Sequence, residues 1–142
     1  MKPDVIVVYP TLPRQMQMLE QSYTLHRYDQ AADKDRLLDD VGPRCIAMVT
    51  NGHFPLNRDF IARLPALQIV ACSSVGYDTI DVGALTERGI RFTNTPDVLT
   101  DDVADLAILL MLAARRRLIV GDRYVRSGDW GRKGMMALTS PS

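Results

Sequence analysis

The sequence predicts an α/β fold: a parallel five-stranded sheet with helices on both faces, and one long helix beyond it. Three observations carry that prediction. Short apolar runs rich in β-branched residues recur along the chain, each followed by a stretch with helical spacing. Turn and capping residues punctuate the boundaries. The last helical stretch is apolar on every side.

Val5-Ile6-Val7-Val8-Tyr9 is the first strand, a continuous apolar run suited to burial on both faces, and Pro10 and Pro13 end it. Leu12, Met16 and Leu19 share helical spacing, so a helix follows. Tyr23-Thr24-Leu25-His26 is a second, weaker strand, with His26 at an edge or core rim rather than in a catalytic role. Asp33 caps a helix carrying Leu37, Leu38 and Val41, which Gly42-Pro43 closes. Residues 45–50 form the third strand, and Asn57 caps a short helix with Phe60, Ile61 and Leu64 on one face. Residues 67–72 form the fourth strand, Asp81 caps the next helix over Val82 and Leu85, and Gly89 ends it before Ile90-Arg91-Phe92-Thr93. The order is flavodoxin-like: parallel strands joined by right-handed crossovers. A phosphoacceptor signalling domain has the same order, but no carboxylate stands at Tyr9-Pro10 or Thr50-Asn51 to hold Mg²⁺.

Beyond Pro96, Thr100 is placed to cap a helix whose first turn holds Asp101 and Asp102, favourable to the helix dipole. From Val103 the pattern is not amphipathic, and Leu106 to Ala114 cover every face of the cylinder, which calls for burial against another domain or another copy of the chain. The predicted helix runs over 100–127, about 40 Å, and Gly128 ends it. Arg115-Arg116-Arg117 reads as a solvated face. Residues 128–142 form an arm whose Gly128, Gly131 and Gly134 do not match a dinucleotide fingerprint, since no strand precedes them.

Composition narrows the function. With 46% hydrophobic and 24% charged residues the chain is globular. Seventeen basic residues balance seventeen acidic ones, which argues against a nucleic-acid or anionic-membrane partner held by bulk charge. The apolar run over 106–114 is far short of the roughly 18 residues a membrane span needs. Met1-Lys2-Pro3-Asp4 leads into a strand rather than a signal peptide, and Cys45 and Cys72 read as buried free thiols, so a cytoplasmic location is expected. His26 and His53 lack metal-ligand spacing, so no metal site is expected.

In an open parallel sheet, ligands bind at the carboxyl ends of the strands. Two loops there carry glycine beside polar residues: Asn51-Gly52-His53 and Ser74-Val75-Gly76. Their backbone N–H groups suit a carboxylate, although both also read as ordinary tight turns. No Ser-His-Asp, Cys-His or paired-carboxylate arrangement is present to supply catalytic residues.

Ser74-Val75-Gly76-Tyr77-Asp78-Thr79-Ile80-Asp81, Gly89-Ile90-Arg91, Asn94-Thr95-Pro96-Asp97-Val98-Leu99-Thr100-Asp101-Asp102 and Asp122-Arg123-Tyr124-Val125-Arg126-Ser127-Gly128-Asp129-Trp130 together resemble the D-isomer-specific 2-hydroxyacid dehydrogenases. The likeness is to the hydroxypyruvate, glyoxylate and hydroxyphenylpyruvate reductase branch, and Met136-Ala137-Leu138-Thr139 resembles the segment before its cofactor domain. The resemblance implies a substrate domain over 1–99, a connecting and dimer helix over 100–127, and an arm over 128–142 that leads to a Rossmann cofactor domain. It implies that Val75 and Gly76, with Ser74, hold the substrate carboxylate, that Asn51 and Gly52 line the cleft, and that Thr100 approaches the nicotinamide of NAD or NADP. The partners implied are a small 2-oxo or 2-hydroxy acid, the cofactor domain or a second subunit, and a homodimer.

The family's G-x-G-x-x-G and its catalytic Arg, Glu and His have no counterpart in these 142 residues. An intact relative would reduce the 2-oxo acid with hydride from NAD(P)H and a proton from a Glu-supported His. This chain alone is expected to be inactive. The alternative is a non-enzymatic dimerisation or regulatory module that kept the fold. Tyr77, beside the carboxylate loop, is open to a role in side-chain preference or in packing.

Overall fold

A computed structural model describes residues 2–138; Thr139 of the quartet above and the rest of the expected arm to residue 142 lie outside the described residues. The chain divides into two compact units, Met1–Val98 and Leu99–Ser142.

In the first unit the strands are β1 (Asp4–Val7), β2 (Thr24–Arg27), β3 (Ala47–Thr50), β4 (Ile69–Cys72) and β5 (Arg91–Thr93). All pairings are parallel, in the order β2-β1-β3-β4-β5. The helices are α1 (Pro13–Ser22), α2 (Lys34–Val41), α3 (Arg58–Ala62) and α4 (Val82–Glu87). The α/β, flavodoxin-like sheet is therefore present as the sequence predicts.

The order fixes where the helices lie. A right-handed crossover from β1 to β2 runs one way across the sheet, and every later crossover runs the other way. So α1 lies on one face and α2, α3 and α4 on the other. Alternate side chains of β1 follow this division. Ile6 and Val8 join Leu38, Val41, Met48, Ile61, Val70 and Leu85 in the larger core. Val5 and Val7 join Met16 and Val49 in the smaller one. The sheet is thus covered on both faces at β1 but not throughout: Ala71 of β4 is exposed, as are Arg91 and Thr93 of β5. One helix cannot cover five strands, and of the four helices described in the first unit only α1 is on that side.

The short-range signals act as expected. Asp33, Asn57 and Asp81 cap α2, α3 and α4 through their side chains. Gly89 takes a left-handed φ of 67° just after α4. Gly42 has a different role: it stays right-handed and opens a 3-10 turn, Gly42–Arg44. A Cβ there would lie 2.5 Å from the carbonyl oxygen of Arg63, so the close approach of that backbone requires glycine. His26 lies on the edge strand β2, and its Nε2 sits 2.5 Å from Asp4 Oδ1.

The second unit departs from its sequence expectation in two ways. The single helix expected over 100–127 is two helices, α5 (Thr100–Arg115) and α6 (Leu118–Arg126). Arg116 ends the first, and Arg117 adopts a left-handed conformation (φ 52°, ψ 40°) that no α-helix accommodates. Thr100 is not the N-cap either. Leu99 occupies that position without a side-chain bond, and Thr100 is the first helical residue. Gly128 ends α6 as expected, with φ 75°, and a short α7 (Asp129–Lys133) follows. Leu138 returns against α6 where Gly121 leaves room, and the Tyr124 hydroxyl donates to the Gly134 carbonyl at 2.9 Å. Among the described residues no helix is long and apolar enough to cross a membrane.

Candidate functional site

The crossovers leave β1 and β3 in opposite directions, so a crevice opens beyond the carboxyl ends of those two strands. A cavity of about 300 Å³ lies there, lined by Tyr9, Pro10, Leu12, Pro13, Asn51 and Ser73 among others. The segment after β1 is the wall that sequence reasoning missed. Its only signal was its place, after a strand at which the direction of winding reverses.

The loops after β3 and β4 are tied together. Thr50 is fully buried, and its carbonyl accepts from the Ser73 N–H at 2.9 Å and the Ser73 hydroxyl at 3.2 Å. Asn51 is also buried; its Oδ1 accepts from the His53 N–H at 3.0 Å, an Asx turn that bends the chain. His53 itself is exposed. Thr79 Oγ1 lies 2.8 Å from the Gly52 carbonyl and 2.9 Å from that of Phe54, so one hydroxyl proton serves two carbonyls.

Gly52 and Gly76 meet. A Cβ on Gly52 would sit 1.9 Å from the Gly76 carbonyl oxygen and 3.1 Å from Ser74 Oγ, so the contact between the loops excludes any side chain. Gly76 is different: a Cβ there meets nothing closer than Asp78 Oδ2 at 3.7 Å. The fold needs glycine at 52 but not at 76.

The segment after β5 fixes the Ser74-Val75-Gly76 backbone. The Ser74 carbonyl accepts from the Thr95 N–H at 3.1 Å, and the Val75 carbonyl accepts from Asn94 Nδ2 at 3.0 Å. Described peptides are trans, so each N–H points opposite the carbonyl of its own plane. The N–H groups of Val75 and Gly76 therefore face away from Asn94 and Thr95. Neither has an acceptor among the described residues. Two adjacent N–H donors on an accessible loop form an anion cradle.

The Asp78 carboxylate borders the open side of Gly76. Burial pushes the Cys72 thiol up, partly offset by a hydrogen bond from the Ser74 backbone. Cys45, buried two residues before β3, is pushed up to about 11 by burial and by the nearby Asp4 carboxylate. Both thiols are free. Tyr77 is half exposed and stacks edge-on against Phe92 at 5.2 Å between ring centroids, so packing takes at least part of its ring.

Thr100 belongs to the second unit, exposed at the start of α5. Gly128, Gly131 and Gly134 flank or sit within α7 rather than joining a strand to a helix. The described residues thus do not fit a dinucleotide as a cradle, and no hydride step is assigned to them. Among the described residues no group of three His, Cys, Asp or Glu side chains is placed to hold a metal ion.

The D-isomer specific 2-hydroxyacid dehydrogenase catalytic-domain profile matches residues 5–140. A glyoxylate/hydroxypyruvate reductase A of Arabidopsis thaliana is 48% identical over 122 residues, which cover 86% of this chain and 39% of that protein. A solved 2-hydroxyacid dehydrogenase from Ketogulonicigenium vulgare is 38% identical with a TM-score of 0.86, over 100% of this chain and 45% of that one. A solved NADPH-dependent glyoxylate/hydroxypyruvate reductase from Sinorhizobium meliloti, in complex with NADP and malonate, is 32% identical with a TM-score of 0.73, over 99% of this chain and 43% of that one. The chain spans about two-fifths of the length of the curated relatives it matches.

Proposed function

Because the chain belongs to the D-isomer specific 2-hydroxyacid dehydrogenase family, we propose that it is the substrate domain of an NAD(P)-dependent oxidoreductase. The intact enzyme reduces a small 2-oxo acid of the hydroxypyruvate or glyoxylate type to the D-2-hydroxy acid. The observation that carries this reading is the pair of unengaged N–H donors at Val75 and Gly76, beside the Gly52 contact.

In this reading the two N–H groups take one end of the substrate carboxylate. The negative charge on the acceptor makes such bonds roughly twice as strong as neutral ones. Ser74 carries the start of the cradle, and Asn51 and Gly52 form its wall. The absence of a side chain at Gly76 lets the acid approach the backbone. Thr100 lies on the nicotinamide side in the intact enzyme. The part assigned to the described residues is confined to gripping and orienting the acid, since they hold no dinucleotide cradle. A homodimer, with α5 against a cofactor domain or second subunit, and a reducing, cytoplasmic compartment complete the proposal.

Titration of the isotope-labelled chain with sodium glyoxylate tests the grip. The expected result is a saturable shift of the Val75 and Gly76 amide resonances that glycolaldehyde, of similar size without the carboxylate, does not reproduce. Equal shifts with both compounds would sink the reading. The 142-residue chain is also expected to show no oxidation of NADH or NADPH with hydroxypyruvate or glyoxylate; robust turnover would overturn the division of labour.

A second reading, a non-enzymatic dimerisation or regulatory module, is favoured by one observation: α5 buries none of its residues within the chain. A chain that associates but leaves its Val75 and Gly76 amides unmoved by glyoxylate supports that reading instead.

A further inference from the structure

We propose that Asn94 is a positioning residue for acid binding, one that sets which way the Val75–Gly76 peptide faces; the proposal rests on the carboxylate-grip reading above. Asn94 follows the last strand and sits half-buried. Its Nδ2 donates to the Val75 carbonyl at 3.0 Å. That carbonyl and the Gly76 N–H share one peptide plane, and a trans plane points them opposite ways. Holding the carbonyl toward Asn94 therefore holds the N–H toward the ligand.

The plane needs holding. Glycine tolerates backbone conformations that other residues resist, so a peptide joined to Gly76 is free to turn over by about 180° at little steric cost. The loop is not tightly packed at Gly76, where a Cβ would find its nearest neighbour, Asp78 Oδ2, at 3.7 Å. Turned over, the plane would present a carbonyl oxygen to the carboxylate, and attraction would become repulsion. The preceding plane is secured differently. The Ser74 carbonyl is held by the Thr95 backbone N–H at 3.1 Å, a bond that does not depend on the side chain at position 95 short of proline. The two halves of the cradle thus differ: the Val75 N–H is set by backbone, the Gly76 N–H by one side chain.

This asymmetry gives a signature that a merely structural role lacks. In Asn94→Ala the Gly76 amide resonance is expected to shift or broaden by exchange, while Val75 stays near its original position. Glyoxylate affinity falls about three- to tenfold, as expected for one hydrogen bond. Asn94→Asp keeps the shape but replaces the donor by a carboxylate facing the Val75 carbonyl, so affinity falls further than in Asn94→Ala. A packing role predicts the reverse order, with the isosteric Asp milder than Ala. Thermal unfolding of each variant checks the fold, and Asn94→Ala alone is sufficient if the Asp variant does not fold.

An unchanged Gly76 resonance together with unchanged glyoxylate affinity in Asn94→Ala overturns the proposal. So does an Asp variant that binds better than Ala. If the unsubstituted chain shows no carboxylate-dependent shift, the grip reading fails. The Gly76 signature then still decides whether Asn94 holds the peptide.

Discussion

Two glycines in the cleft answer to different demands, and substitution separates them. Alanine at Gly52 places a methyl group 1.9 Å from the Gly76 carbonyl, so one loop must move. Gly52→Ala is expected to cost about 1–3 kcal/mol, read from urea denaturation. Gly76→Ala makes only an ordinary contact with Asp78 Oδ2 at 3.7 Å and is expected to leave stability within about 0.5 kcal/mol while weakening glyoxylate binding severalfold. Asp4 gives the acid response. The His26 ring and the Arg44 guanidinium, 2.5 and 3.4 Å from its Oδ1, hold its carboxyl below the usual carboxylate range. A pKa lowered by folding means that the stabilisation is complete above the unfolded-state value and drains away as pH falls through the folded one. Urea midpoints taken between about pH 5 and 3 are expected to fall more steeply in the parent than in Asp4→Asn. At this scale the site was half legible. Asn51, Gly52, Ser74, Val75 and Gly76 stand out because strand ends and turn residues are local signals. The contact between Gly52 and Gly76 does not, because each loop alone reads as an ordinary turn. The hold of Asn94 on Val75 spans nineteen residues, and no local pattern announces it.

Among the elements, caps test how far such local signals reach. Asn57 Oδ1 accepts from the Phe60 N–H at 2.9 Å, and Asp81 Oδ1 from the Ala84 N–H at 2.8 Å. Asn57→Ala is expected to cost about 1 kcal/mol. Thr100→Ala should stay within about 0.5 kcal/mol, since Thr100 is the first residue of its helix and makes no cap. Thermal or urea unfolding of the pair checks both; equal losses would contradict the observed boundary. Asp33, Asn57 and Asp81 were readable as caps because each precedes a run with an apolar face. Thr100 has the same chemistry but stands one residue too late. The break after α5 was unreadable for a related reason. Arg and Leu favour helix, so the sequence around residue 117 carries no breaker. The left-handed conformation at Arg117 is what divides the helix. Glycine adopts it without steric penalty, so Arg117→Gly is expected to retain both helices and to raise the stability of their unit by up to about 1 kcal/mol. A fall in helical circular dichroism would argue against it.

At the scale of the whole molecule the two units differ in how they use apolar residues. In the first, α2, α3 and α4 each bury side chains in a core that includes Ile6, Leu38, Met48, Ile61 and Leu85. In the second, α5 buries none, and Leu106, Leu109, Leu110 and Met111 are each at least half exposed. Isolated exposed apolar residues are ordinary, but a contiguous surface of this kind marks an association site. Water contact with that surface is unfavourable by about 25 cal/mol for each Å², a gain that a covering partner sets against the cost of association. The sequence showed this need, because a helix apolar on all sides fits no solvent-exposed position, but not the partner, which no pattern within one chain specifies. Light scattering coupled to size-exclusion chromatography is expected to give a mass above the monomer that rises with concentration. Leu106 and Leu110 are one helical turn apart and share a face, so Leu106→Glu with Leu110→Glu is expected to return the mass to the monomer. The paired substitution is also expected to leave the glyoxylate-dependent shift at Val75 and Gly76 intact, because those amides, and the Asn94 and Thr95 donors that hold their peptide planes, lie in the first unit. A parent chain that is monomeric at all concentrations would refute the association. A glyoxylate shift abolished together with association would instead make the acid cradle dependent on the assembled state.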